Sequence, residues 1–291
     1  MNIACFYARI FIVSSRINEN RVNFPMTMAT LRKKHLCSSN TIISGVFFDL
    51  DNTLIETRKG DNQTCRKLAE ELTQEYGIAE DASVNITTTY LKLFRKCPDN
   101  GILTLDSWRI TLWNNALGEK YSYLSRKIYE RWLYLRYYYL ALASDVISML
   151  RQLRMKYLLG LITNGPSNAQ WEKIRKLSLE QYFDIILVSG DLPWEKPEGE
   201  IFRKACRYLN VKPDSCVMVG DKLETDILGG IEAGLGSTIW IPTIEKPLLL
   251  RGDPKPDFTI RHVTDLTSIL LNRVPDVPEL EDSSSNASDG S

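Results

Sequence analysis

The chain has 291 residues, of which 44% are hydrophobic and 25% are charged, and its formal net charge is zero. This composition is that of a globular protein, and its charge balance provides no basic field that would recruit nucleic acid or an anionic membrane. No apolar run reaches the roughly 18 residues of a membrane-spanning helix. We therefore expect a globular protein with neither a nucleic-acid nor a membrane partner.

Two residue types that often indicate metal or nucleophile sites are sparse. The chain has six cysteines without a Cys-x-x-Cys pair, and two histidines, neither of which lies in a motif. Scattered cysteines argue against a disulfide framework or a zinc site and favour a reducing compartment. The scarcity of histidine weakens hydrolases that rely on Ser-His-Asp or Cys-His arrangements.

Residues 1–44 form a basic extension, in which six arginines and lysines stand against a single acid, Glu19. No core strand or motif is predicted there, and we expect the extension to be disordered. An Arg-rich, acid-poor start is also the composition of a mitochondrial presequence. A cytoplasmic protein is therefore the favoured interpretation, and a mitochondrial protein is the alternative.

Residues 45–56 contain the first predicted core strand and a pair of carboxylates. The apolar run that ends at Phe48 is typical of a strand buried on both faces. Asp49 and Asp51 follow with Leu50 between them, so the two aspartates point the same way beyond the strand, where open α/β sheets bind ligands. Such a pair can hold a divalent cation, and one member can attack phosphorus while the other moves a proton. An ordinary Asx turn is the alternative that this motif leaves open by itself.

Residues 57–141 predict a helical insert, because they are too long for one crossover between parallel strands. Their apolar spacing indicates enough helices for a small bundle, which we expect to cap the site. Hinges are expected near residues 56–60 and 141–145. The four amphipathic patterns lie near residues 62–76, 82–97, 104–118 and 122–141.

Residues 142–272 contain three further predicted strands, each with a polar residue beyond its carboxyl end. The first ends in Thr163 and Asn164, the second leads into a loop with Lys196, and the third ends in Asp221. Singly, these residues suit a strand-to-helix turn, a surface charge and a helix cap. Together with the aspartate pair they indicate a doubly wound parallel sheet of the α/β, Rossmann-like class, with its chemistry at one edge.

The remaining segment, residues 273–291, is acidic, rich in serine and almost free of large apolar side chains. Such a composition cannot bury enough apolar surface to offset the entropy of ordering. We expect a disordered tail.

The four motifs resemble, in order, strand context and spacing, those of the haloacid dehalogenase (HAD) superfamily. They are most similar to its phosphatases with a helical cap after the first strand, over about residues 45–272. Within that group the Thr-Asn-Gly, Glu-Lys-Pro and Val-Met-Val-Gly-Asp segments look like those of sialic acid phosphatases. The pattern departs at Pro166 and Lys222, where those enzymes carry an acidic residue and a threonine. Asp51 argues for phosphoryl transfer, because the dehalogenases of the family lack this second aspartate.

The resemblance implies an Mg²⁺-dependent phosphoric monoester hydrolase that works through an aspartyl phosphate. It makes Asp49 the nucleophile and Asp51 the general acid and base. The implied ligands of Mg²⁺ are the carboxylates of Asp49 and Asp221 and the backbone carbonyl of Asp51, and Asp226 orients Lys196 or a metal-bound water. The implied phosphate-binding residues are Leu50, Asp51, Thr163, Asn164 and Lys196.

The implied substrate is a small phosphorylated metabolite, the phosphate of an acyl amino sugar acid from sialic acid biosynthesis. Substrate choice is expected to lie in the cap, where Arg109 is a candidate for binding the substrate carboxylate, and an exposed helix charge is its other interpretation. The same core would serve another small phosphate, such as a nucleoside monophosphate, phosphoglycolate or another sugar phosphate. An inactive HAD-fold interaction protein is a third alternative, although all catalytic residue types are present. The sequence leaves the oligomeric state open.

Overall fold

A computed structural model describes residues 11–12, 42–96, 104–244 and 249–271. The tail predicted over residues 273–291 lies outside the described residues, as does most of the predicted extension over residues 1–44. Within the described part of the chain, no helix combines the length and apolarity that crossing a bilayer requires.

A seven-stranded sheet forms the centre of the fold, with the strand order β1-β4-β3-β2-β5-β6-β7. Every neighbouring pair is parallel except β1 and β4. This arrangement confirms the α/β, doubly wound class. The strands are β1 (Phe11–Ile12), β2 (Gly45–Phe48), β3 (Leu158–Thr163), β4 (Ile185–Val188), β5 (Cys216–Gly220), β6 (Ser237–Trp240) and β7 (Phe258–Thr259).

Helices fall into two groups. The first four described after β2 form the cap: α1 (Thr57–Tyr76), α2 (Glu80–Phe94), α3 (Leu105–Tyr121) and α4 (Ser125–Tyr139). Aromatic packing holds this bundle together, since the rings of Tyr90 and Trp113 stack with centroids 3.7 Å apart. The core helices are α5 (Ser144–Arg154), α6 (Ser167–Lys176), α7 (Gly199–Leu209), α8 (Leu228–Glu232) and α9 (Leu266–Leu270), and a π-helical turn over Leu223–Ile227 precedes α8.

The central strand β2 is buried on both faces, which explains its unbroken apolar sequence. Val46 and Phe48 pack into the cluster that contains α5, α6 and α9, whereas Phe47 packs into the cluster that contains α7. Because side chains alternate along a strand, each face of β2 meets a different helical layer. A charged side chain within β2 would be buried in an apolar layer, so the first charged residue, Asp49, follows the end of the strand.

The prediction that residues 1–44 contain no strand is wrong at residues 11–12. Strand β1 pairs antiparallel with β4, with Phe11 opposite Ile186 and Ile12 opposite Ile185. Without β1, strand β4 would present its outer row of N–H and C=O groups at the edge of the sheet. The two residues of β1 pair with part of that edge.

Candidate active site

A tight turn immediately after β2 carries the two aspartates out of the sheet. The carbonyl of Leu50 accepts backbone N–H groups of Thr53, Leu54 and Ile55 at 3.4, 3.1 and 3.2 Å. Asn52 adopts a left-handed conformation with φ of 63°, which asparagine tolerates better than most residues. The side chain of Leu50 is fully buried in the core. The buried side chain of Leu50 and the hydrogen bonds to its carbonyl therefore fix the backbone of the turn that carries the two aspartates.

Lys196 links the nucleophile candidate to a second carboxylate. Its Nζ lies 2.6 Å from Asp49 Oδ1 and 2.7 Å from Asp226 Oδ1, and it donates to the carbonyl of Ile162 at 2.8 Å. Burial would lower the pKa of Lys196, but Asp226 and Asp49 outweigh burial and raise that pKa above its usual range. The buried ammonium is therefore a fixed positive charge beside Asp49.

Three carboxylates converge at the ends of β2 and β5. Asp49, Asp221 and Asp226 each offer an oxygen, and these atoms lie within 4.8 Å of one another. Burial, together with the neighbouring acids, raises the pKa of Asp49 to about 7, although Lys196 works against that rise. Burial and then the charge of Asp226 raise the pKa of Asp221 to about 6.

This acidic cluster fits a hard divalent cation. Three carboxylates lie around the ammonium of Lys196, and Asp221 Oδ1 is buried without a hydrogen-bond partner among the described residues. Oxygen donors of this kind suit Mg²⁺, and a buried unpaired carboxylate oxygen is otherwise costly. The structure places Asp226 nearer to this set than the sequence analysis did, and binding of Mg²⁺ to the backbone of Asp51 stays a prediction.

Thr163 and Asn164, at the end of β3, differ in how they are used. Thr163 is 1% exposed and its hydroxyl has no partner among the described residues, which suits a ligand oxygen at this edge. Asn164 donates from Nδ2 to the carbonyl of Lys196 at 2.8 Å and accepts the N–H of Lys196 at 2.9 Å. The amide of Asn164 thus holds the Lys196 loop, and its direct contact with phosphate stays a prediction.

The loop that carries Lys196 ends before the next helix, because α7 begins at Gly199. A turn closes first, in which the N–H of Glu198 donates to the carbonyl of Glu195 at 2.8 Å. Lys196 is therefore held in a loop by Asn164 and lies outside the helix.

Asp51 is bound by residues that the sequence analysis did not identify. Lys173 Nζ lies 2.5 Å from its Oδ2, Gln170 donates to it at 3.1 Å, and Thr57 donates at 2.5 Å. Burial would raise the pKa of Asp51, but the charge of Lys173 and these hydrogen bonds outweigh burial and hold that pKa well below its usual range. The available signal was the i, i+3 spacing of Gln170 and Lys173 on α6.

Arg109 is not an exposed helix charge, so that expectation is wrong. It is 1% exposed, and its Nη1 lies 2.9 Å and 2.8 Å from the two carboxylate oxygens of Glu172 on α6. Tyr137, at the end of the cap, also donates to Glu172 at 2.5 Å. The carboxylate that Arg109 binds in this structure belongs to the protein, and the contact joins cap to core.

Comparison with known proteins agrees with this geometry. A family model described as haloacid dehalogenase-like hydrolase matches residues 43–234. The N-acylneuraminate-9-phosphatases of Homo sapiens and Mus musculus are 37% and 35% identical over 235 and 233 residues, which is 78% of this chain and 94% of each relative. The glyceraldehyde 3-phosphate phosphatase of Methanothermobacter thermautotrophicus is 31% identical over 200 residues, 68% of this chain and 85% of that protein.

Solved structures show the same fold. The HAD phosphatase of Thermococcus onnurineus superposes with a TM-score of 0.53 at 27% identity, over 78% of this chain and 98% of that one. The HAD-hydrolase YfnB of Bacillus subtilis, solved bound to magnesium, gives 0.54 at 25% identity over 79% and 99% of the two chains. With four strand-end motifs at one sheet edge and phosphatases among its relatives, the chain belongs to the haloacid dehalogenase-like hydrolase family and is one of its phosphatases.

Proposed function

We propose that this phosphatase is Mg²⁺-dependent and removes the phosphate of an N-acylneuraminate 9-phosphate through an aspartyl phosphate. The observation that carries the chemistry is the state of Asp49. It is 7% exposed, lies 2.6 Å from the ammonium of Lys196 and adjoins two further carboxylates. A carboxylate held rigidly beside a cation and a metal-type cluster suits nucleophilic attack on phosphorus.

The chain offers a coherent set of ligands for the ion. Asp49 and Asp221 would hold Mg²⁺ through carboxylates, and Asp51 through its backbone carbonyl. When bound, the ion neutralises part of the acidic cluster and so lowers the repulsion between a carboxylate nucleophile and an anionic phosphate.

Two proton transfers by Asp51 complete the cycle. A carboxylate oxygen of Asp49 attacks phosphorus and the bond from phosphorus to the leaving oxygen breaks. Because its pKa lies well below the usual range in spite of burial, Asp51 is ionised in the free protein, so it takes a proton from the bound phosphate monoanion and passes that proton to the leaving oxygen. Water then attacks the aspartyl phosphate and yields its proton to Asp51 while the bond from phosphorus to Asp49 breaks. Lys196, the hydroxyl of Thr163 and the N–H group of Leu50 are the proposed donors to the phosphate oxygens.

Support for the substrate comes from the extent of the similarity. The alignment with the human N-acylneuraminate-9-phosphatase covers 94% of that protein, so it includes the cap as well as the core. In this fold the same core can serve many phosphates, and the inserted elements differ between activities. Similarity across the cap is therefore the part that bears on the substrate. Arg109 is left out of the proposed substrate contacts, because its Nη1 is paired with the Glu172 carboxylate.

A substrate panel tests the proposal directly. We expect kcat/KM for N-acetylneuraminate 9-phosphate to exceed that for glyceraldehyde 3-phosphate, phosphoglycolate and nucleoside monophosphates by about 10- to 100-fold, the effect of one or two charge-assisted contacts. A preference for glyceraldehyde 3-phosphate would refute the substrate and leave the phosphatase chemistry standing.

Asp49→Asn tests the nucleophile on any substrate of that panel. The amide keeps the shape of the side chain but cannot form the acyl phosphate, so turnover should fall by at least about 10⁴-fold. Beryllium fluoride with Mg²⁺ should raise the melting temperature of the parent protein and leave that of Asp49→Asn unchanged. Turnover by Asp49→Asn, or full activity in excess chelator, would contradict the mechanism.

We propose a cytoplasmic location, with mitochondrial import as its competitor. The cysteines in the described part of the chain, Cys65, Cys206 and Cys216, are free thiols, which accords with a reducing compartment. Fusing residues 1–44 to a fluorescent reporter should give a diffuse signal. A mitochondrial pattern would favour the presequence interpretation.

A further inference from the structure

The Asp51 carboxylate is held on both of its oxygens. Lys173 Nζ lies 2.7 Å from Oδ1 and 2.5 Å from Oδ2. Thr57 donates to Oδ1 at 2.5 Å, and Gln170 donates to Oδ2 at 3.1 Å. Each oxygen therefore accepts two hydrogen bonds, which together fix the location of the carboxylate and its rotation about its own axis.

Lys173 is part of the protein interior. Its side chain is 7% exposed, whereas that of Asp51 is 27% exposed. A buried ammonium is stable only where acceptors pair with it, and Asp51 supplies the paired carboxylate within the described residues. The long lysine stem thus reaches from α6 to the aspartate beyond β2, and the exposed part of Asp51 stays open toward a substrate.

Gln170 connects the Asp51 carboxylate to the core of the protein. It lies one helical turn before Lys173 on α6, so both side chains can serve one target. Its Nε2 also donates to the carbonyl of Asn164 at 2.9 Å, which ties the start of α6 to the end of β3. Movement of the cap alone would leave these two donors in place.

We propose that Lys173, assisted by Gln170, is a positioning residue that aims the Asp51 carboxylate at the leaving-group oxygen. The inference rests on the function proposed above, in which Asp51 transfers the proton. Lys173 touches neither phosphate nor leaving group and acts through Asp51. General acid catalysis requires hydrogen-bond reach, and a displacement of about 1 Å can cost on the order of 100-fold in rate.

A lysine that served only as a counter-charge would behave differently. Its loss would weaken the fold and slow every substrate alike. If Lys173 instead orients Asp51 toward the leaving oxygen, its loss should lower kcat/KM most for the substrates whose leaving group most needs a proton. A p-nitrophenolate group departs almost unaided, whereas an alkoxide does not.

The test is kcat/KM of Lys173→Met on a series from p-nitrophenyl phosphate to alkyl phosphates. This parameter extends only to release of the alcohol, so hydrolysis of the aspartyl phosphate does not enter. We expect a loss of about 10- to 100-fold on alkyl phosphates and of less than about threefold on p-nitrophenyl phosphate. Gln170→Leu should give the same pattern with a smaller loss, and it leaves no buried charge unpaired.

Controls separate positioning from damage. Lys176→Met makes the same change at an exposed site on the same helix and should alter neither substrate class. Lys173→Met should keep the rise in melting temperature with beryllium fluoride, which reports an intact Asp49 site. Adding Lys173→Met to Asp51→Asn should cause no further loss, because the two residues act as one unit.

Three outcomes would overturn the inference: equal losses on both substrate classes, no loss on either, or losses that multiply in the double variant. If Lys173→Met does not fold, the leaving-group dependence of Gln170→Leu decides alone. If Asp51→Asn itself shows no added leaving-group dependence, the proposed function fails at its proton-transfer step. Asp51→Asn with that dependence and Lys173→Met without it would refute only the positioning role.

Discussion

The environment of Asp221 suits binding of a cation, and it lowers the stability of the protein when no metal is bound. Asp221 is 7% exposed, and its Oδ1 has no hydrogen-bond partner in the part of the chain that the structure describes. Its pKa rises from 3.8 to about 6, chiefly through burial and then through Asp226. A raised pKa means that the folded state binds the proton more tightly than the unfolded chain does. The contribution to stability is therefore complete below about pH 4 and is lost as the pH rises through 6.

Asp221→Asn should consequently stabilise the metal-free protein at pH 7.5. The shift of pKa corresponds to roughly 1–3 kcal/mol of unfolding free energy, which urea denaturation in chelator would measure. The gain should shrink toward zero below about pH 3, where Asp221 is protonated in both states. In the parent protein Mg²⁺ should raise the melting temperature by binding only the folded state, and in Asp221→Asn this rise should be lost.

Glu224→Gln is the matched control for that prediction. Glu224 is an exposed acid three residues further along the same segment, so the variant should keep the parent response to Mg²⁺ and the parent stability. An Asp221→Asn protein that is less stable than the parent in chelator would contradict the predicted effect of the raised pKa, and one that keeps the full Mg²⁺ response would show that Asp221 is not a ligand.

Side chains at strand ends were predictable from sequence, and side chains on helices were less so. Asp49, Thr163 and Asp221 each end a buried strand, and parallel strands bring their carboxyl ends to one edge. Lys173 escaped prediction because α6 also carries an apolar face with Trp171 and Ile174. Which polar side chain on such a helix turns inward depends on the neighbouring loop, and periodicity does not encode that choice.

At the scale of elements, a largely buried ion pair helps to join the cap to the core. Arg109 on α3 is 1% exposed, Glu172 on α6 is 18% exposed, and their charged atoms lie 2.8 Å apart. The guanidinium also lies 5.7 Å from the ring centroids of Phe94 and Trp132. Removing one member of such a pair leaves the other charge without its partner in a largely buried place, which is more damaging than removing both.

A double-mutant cycle on this pair should show strong coupling. Arg109→Met should lower the unfolding free energy by about 3–5 kcal/mol, and adding Glu172→Met should restore part of that loss. Urea denaturation of the four proteins gives the coupling energy, which we expect to exceed about 1 kcal/mol. KM for a carboxylated sugar phosphate and for p-nitrophenyl phosphate should change by the same factor.

A surface pair in the cap provides the comparison for that cycle. Arg126 and Glu130 lie on α4 with side chains 78% and 62% exposed and charged atoms 3.7 Å apart. Their coupling should be below about 0.5 kcal/mol, as is usual for solvated pairs. If the coupling of Arg109 to Glu172 is no larger, or if KM rises selectively for the carboxylated substrate, Arg109 binds substrate and does not secure the cap.

The cap could be predicted as an element more readily than its attachment. Apolar spacing over residues 57–141 indicated four helices, and the structure has α1 to α4 in that segment. The contacts that seat the bundle are polar and involve Tyr137 and Glu172, which are 35 residues apart. Such a pair leaves no periodic pattern in the sequence, because its two members meet only when the cap and the core have packed together.

At the scale of the whole molecule, a doubly wound parallel sheet could be predicted from the alternation of strand and helix, but the strand at its edge could not. The segment with β1 lies in a basic extension whose composition favours disorder. Two apolar residues within it nevertheless meet the open edge of β4. The composition of a long segment does not show that two of its residues can pair with the open edge of a neighbouring strand.

Deleting residues 1–41 tests how much that edge strand contributes. Strand β1 supplies two residue pairs and no site residue, so the unfolding free energy should fall by roughly 0.5–2 kcal/mol, the value of one or two net hydrogen bonds. Turnover should be unchanged, and the uncovered edge of β4 should make the shortened protein more prone to associate at high concentration. Ile12→Pro in the full chain is the finer probe, because proline removes a backbone donor without removing the extension. If the deletion leaves stability and association as they were, β1 does not cover β4 in solution. A shortened protein that folds but has lost turnover would mean that the extension contributes to the active site.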